Sequence, residues 1–78
     1  MQKYNEVFDC VIATSSMTYA IKGETVLLKS GINTKIVRLA PEATTRGCTY
    51  GLALGCAAHD AARQVLANYN VPYGETVK

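Results

Sequence analysis

The chain has 78 residues, of which 49% are apolar and 18% charged, enough hydrophobicity for one small folded domain and too much for a disordered segment. Eight Lys and Arg against six Asp and Glu leave a net charge of +2 spread along the chain, which argues against a nucleic-acid stripe or a polybasic membrane patch. No apolar run approaches the ~18 residues of a membrane span, and Met1-Gln2-Lys3-Tyr4-Asn5-Glu6 is too polar to open a signal peptide.

Taken in chain order, Val7 to Thr14 reads as a first strand, β-branched and broken only by Asp9. Ser15 and Ser16 are good N-caps for a helix from Met17 to Ser30. Its apolar residues Met17, Ala20, Ile21, Leu27 and Leu28 fall at helical spacing. Gly23 costs such a helix about 1 kcal/mol relative to Ala, a sign of close packing or of a weak helix. Gly31 suits the left-handed residue that ends it.

Thr34 to Ala40 is a second strand, punctuated by Lys35 and Arg38 and stopped by Pro41. Pro41 to Thr49 is the one extended stretch of small polar and turn-prone residues. Tyr50 to Ala57 resumes strand character, with Tyr50, Leu52, Leu54 and Cys56 on one parity and Gly51 and Gly55 on the face where something packs closely. Ala58, Ala61, Ala62, Val65, Leu66 and Tyr69 mark a second helix, with Asp60 in its first turn. Tyr73 to Val77 is a short last strand.

The order β-α-β-β-α-β over a single domain, core about 7–77, predicts an α+β ferredoxin-like split βαβ sandwich with two helices on one face of a four-stranded sheet. The rival is another α+β arrangement in which the weak last strand stays out of the sheet.

Three cysteines, Cys10, Cys48 and Cys56, do not suggest a disulfide scaffold and fit free thiols in a reducing cytoplasm. With one histidine, His59, a four-ligand metal site is excluded and no Cys–His nucleophilic pair is expected. Cys10 and Cys56, by parity, read as small buried hydrophobes in strands. A regular strand would hold Cys56 roughly 26 Å from Cys48 at ~3.3 Å per residue.

Cys48 lies in the polar loop. In the expected topology that loop adjoins the end of the first strand, so Cys48 faces Thr14, Ser15 and Ser16 and the positive end of the first helix. That end, together with Arg46, favours a thiolate, and Gly47 permits unusual backbone geometry beside the sulfur. The five tyrosines share no spacing, giving no base-stacking platform, and no phosphate loop or hydrolase motif occurs.

The run Ala13-Thr14-Ser15-Ser16, then Ala20-Ile21-Lys22-Gly23-Glu24, Lys29-Ser30-Gly31-Ile32 and Leu39-Ala40-Pro41, and finally Cys48 before Gly51-Leu52-Ala53-Leu54, resembles the small selenium/sulfur carrier protein-like family. The resemblance covers roughly residues 7–77. It implies a loop cysteine at Cys48 that carries sulfur or selenium as a persulfide-type adduct. The glycine that follows the family's cysteine corresponds best to Gly51, with Thr49 and Tyr50 intervening here.

The expected function is therefore a carrier more than a stand-alone enzyme. Cys48 holds the cargo and Arg46, Gly47, Thr49, Gly51, Ser15 and Ser16 support it, with no cofactor and no metal. The partners expected are a sulfur- or selenium-donating enzyme and an acceptor protein, without nucleic acid or membrane. A homodimer through an exposed sheet face or the strand near Tyr73 to Val77 is a further expectation. The alternative is a small ligand-binding or regulatory interaction module with no thiol chemistry.

Overall fold

The computed structural model describes residues 8–40, 42 and 49–77. The first strand, β1, spans Cys10–Thr14, and helix α1 spans Met17–Lys29. Strands β2 (Lys35–Arg38) and β3 (Tyr50–Leu54) follow. A single 3-10 turn, Cys56–Ala58, then leads into helix α2, His59–Asn68.

The sheet has three antiparallel strands in the order β1-β3-β2, which corrects the expected four-stranded ferredoxin-like sheet. The architecture is α+β. The C-terminal segment does run beside β1, where Ala13 N–H donates to the Glu75 carbonyl, Gly74 N–H to Ala13 and Val77 N–H to Val11. It closes only one isolated bridge, Ile12 with Thr76. Pro72, with no N–H to give, bars the pairing from extending toward α2, and Gly74 within the stretch has no side chain to pack.

Local sequence accounts for the helix ends. Ser16 caps α1, its hydroxyl accepting from Tyr19 N–H at 3.2 Å. Gly31 adopts φ +84° just past the helix and Ile32 N–H returns to the Leu27 carbonyl, closing the C-terminus in the left-handed manner expected. Asn70 does the same for α2 with φ 57°, as Val71 N–H bonds back to Leu66.

Both helices contribute to one core. Ile12, Leu52 and Leu54 project from the sheet, and they meet Val26 and Leu27 of α1, Ala62 and Leu66 of α2, and Val71. In α1 the buried positions are Ala20, Gly23, Val26 and Leu27. Met17, Ile21 and Leu28, expected on that face, are exposed instead. Gly23 explains the rotation: a Cβ there would stand 2.7 Å from Leu52 Cδ1 and 3.2 Å from Leu66 Cδ2, so the glycine lets α1 sit close to the sheet and to α2. Gly51 serves β3 in the same way, with Val11 Cγ1 2.6 Å from where its Cβ would be.

Strand β3 stops at Leu54 and does not reach Ala57. Cys56 consequently lies exposed in the following turn, which corrects its expected place inside a strand.

Candidate functional site

Two groups of chemistry-bearing residues occupy opposite ends of the sheet. The first lies where β1 ends and β3 begins. Thr14 pairs with Tyr50, and Tyr50 in turn pairs with Arg38. Leu39 N–H donates to the Thr49 carbonyl at 2.8 Å, closing the stem from which the 40–48 connection leaves and returns. The buried Thr14 hydroxyl makes long contacts to the carbonyls of Tyr50 (3.4 Å) and Ser16 (3.5 Å), tying the strand end to the start of α1. Thr49 therefore stands at the N-terminal end of α1, beside exposed Ser15 and the capping Ser16.

Of the residues expected at the site, Thr49, Gly51, Ser15 and Ser16 come together at this end. Cys48, Arg46 and Gly47 lie outside the described residues. Gly51 is buried, one position inside β3 and opposite Ala13, where it lets Val11 pack closely against the strand.

Arg38 is a residue that sequence reasoning passed over. Its guanidinium lies 5.5 Å from the centroid of the Tyr50 ring, which places a permanent cation at the end of the sheet where Thr49 emerges. The strand register decides its place: Arg38 pairs with Tyr50, so the two side chains share a face of the sheet.

The second group lies at the other end. Cys10, at the start of β1, forms a disulfide with Cys56, their Cα atoms 5.0 Å apart. This corrects the expectation of free thiols at both positions. Its cause is the antiparallel register. Cys10 pairs with Leu54, so Cys56, two residues beyond, has the same parity and is brought back over Cys10 by the 3-10 turn. Cys10 is buried as expected, at 7% exposure, while Cys56 is exposed.

Asp9 completes this group. Its Oδ1 accepts from Cys56 N–H at 2.8 Å, and its carboxylate and the two sulfurs lie within 4.8 Å of one another. A metal would need the thiolates, so the bridged pair is no metal site in this state. His59 opens α2 but stands apart from the sulfurs' chemistry, with Nε2 2.6 Å from Thr76 Oγ1 and Nδ1 3.3 Å from Asp60 Oδ1.

A shallow groove of about 360 Å³ lies along α2, lined by Asp60, Arg63, Gln64, Ala67 and Tyr73. It contains none of the residues expected at the site. No helix among the described residues is long and apolar enough to cross a membrane.

The family model described as "Putative Se/S carrier protein-like" matches residues 9–78, and the chain belongs to this family. No curated protein and no solved structure matches it.

Proposed function

From membership of the selenium/sulfur carrier protein-like family, we propose that the chain carries sulfane sulfur or selenium on Cys48, between a donor enzyme and an acceptor protein. One observation supports this reading above the others: Thr49, the immediate chain neighbour of Cys48, stands at the N-terminal end of α1 beside Ser15 and Ser16. A peptide link keeps the Cα of Cys48 about 3.8 Å from that of Thr49. The positive end of α1 and the fixed charge of Arg38 lie at the end of the sheet where Thr49 leads into β3, and positive groups of this kind favour a thiolate.

Loading is a sulfur transfer. The Cys48 thiolate attacks the outer sulfur of a donor persulfide, the S–S bond of the donor breaks, and the donor leaves as a thiolate. Delivery reverses the roles: an acceptor nucleophile takes the outer sulfur, and Cys48 is returned as a thiolate. Neither step needs a base on this chain, which agrees with a lone histidine engaged at the far end of the sheet.

The test is incubation of the full chain with a cysteine desulfurase and cysteine, followed by peptide mass analysis. Gain of one sulfur atom on the Cys48 peptide, lost in Cys48→Ser, is the expected result. An unmodified Cys48 beside an active desulfurase would instead favour the ligand-binding or regulatory module.

A further inference from the structure

We propose that the Cys10–Cys56 pair is a second sulfur site, a thiol–disulfide exchange centre that takes electrons from a protein dithiol through attack at Cys56. It uses other sulfurs than the carrier reading and does not depend on it. The two halves of the bridge are unequal. Cys10 is 7% exposed, on the face of β1 that carries Ile12 into the core, whereas Cys56 is exposed on a turn outside the strand ladder. An incoming thiolate must approach along the axis of the S–S bond, and only the Cys56 end opens to solvent.

The surroundings of Cys56 favour reversible opening. Its N–H is held by Asp9 Oδ1 at 2.8 Å, a bond that does not involve the sulfur and survives cleavage of the bridge. Cys10 is fixed by β1 and its pairing with Leu54. Both sulfurs therefore stay positioned to reclose.

The exchange balances as two steps. A thiolate of the reductant bonds to Cys56 Sγ; the Cys10–Cys56 bond breaks, and Cys10 leaves with the electron pair and is protonated from water. The reductant's second thiol, losing its proton, then attacks its own sulfur in the mixed disulfide, and Cys56 departs as a thiol. Two electrons and two protons pass to the chain, and the partner is left as a disulfide.

The test uses the intact oxidised chain, free of sulfur donors, with a thioredoxin whose resolving cysteine is replaced by serine, so that a mixed disulfide accumulates. Chymotryptic cleavage after Tyr50 separates Cys48 from Cys56 for mass analysis. About a tenfold excess of the adduct on Cys56 over Cys10 is expected from their difference in access, and intact thioredoxin should reduce the bridge without denaturant. An adduct chiefly on Cys10, or reduction only after unfolding in urea, would overturn the proposal and leave a structural bridge. Sulfur loading of Cys48 is read separately, so either conclusion can fail alone.

Discussion

Leu66 is fully buried between the sheet and α1, and its Cδ2 defines the space that Gly23 must leave empty. Leu66→Ala should therefore destabilise by about 2–5 kcal/mol in a urea melt, whereas Cys48→Ser should leave the midpoint nearly unchanged. Gly23→Ala sets two effects against each other. Alanine favours a helix by roughly 1 kcal/mol, but its methyl would press on two fully buried leucine side chains, Leu52 and Leu66, at a cost of about 1–3 kcal/mol. The net expectation is a loss, read as a lower thermal midpoint. Ser16→Ala should cost about 1 kcal/mol by removing the acceptor for Tyr19 N–H, and Ser16→Asp should restore it, since aspartate caps as well. Capping at Ser16 was legible from residue type alone. The buried seam of α1 was legible in part: Ala20, Leu27 and the close packing at Gly23 are where the sequence points, but Met17, Ile21 and Leu28 share the helical spacing and are exposed, because Gly23 carries no hydrophobicity to weight the pattern toward its own face.

At the scale of elements, all five predicted strand or helix segments before Tyr73 exist, each shorter at one end or both. The last one fails as a strand because three backbone bonds to β1 and one isolated bridge do not make a ladder. These bonds nevertheless cover that edge. Removing residues 74–78 should expose the edge of β1, and amide exchange at Ala13 should accelerate because its N–H loses the Glu75 carbonyl. Unchanged protection at Ala13 in the truncated chain would show that the C-terminal segment contributes nothing there. The bridge was hidden for a related reason. Reading β3 as continuing to Ala57 put Cys56 in a regular strand, and the turn that folds it back over Cys10 begins only one residue past Leu54. Antiparallel pairing of the first and third strands was already implied by the expected topology, so the shared parity of Cys10 and Cys56 was the available clue.

Across the whole molecule, the Cys10–Cys56 bridge spans 46 residues of sequence and ties the start of β1 to the entry of α2. Loop-closure entropy sets its contribution at about 4 kcal/mol, a large share of what a domain of this size can hold. Reduction should accordingly lower the urea midpoint sharply, and an equal midpoint with and without reductant would show that the bridge does not constrain the unfolded chain. Cys48, absent from the bridge, is the thiol expected to react first with an alkylating reagent in the native oxidised protein. The end of the sheet that receives Thr49 was legible from connectivity, since any antiparallel third strand returns its first residues to the end of β1. Arg38's place there was not, because register across strands cannot be counted from one strand alone.

Strand β2 is an edge of the sheet, and it begins with Lys35 and ends with Arg38. Lys35 lies 5.2 Å from the ring centroid of Phe8 and Arg38 leans over Tyr50, so both cations are held near the sheet margin. Another copy adding its own strand along β2 would bring these charges against their duplicates, with little water between them to screen the repulsion. The pair should therefore oppose fibre growth along this edge, independent of any sulfur chemistry. Replacing both with threonine, which suits a strand but carries no charge, should shorten the lag before thioflavin-positive aggregates form in a concentrated, agitated sample.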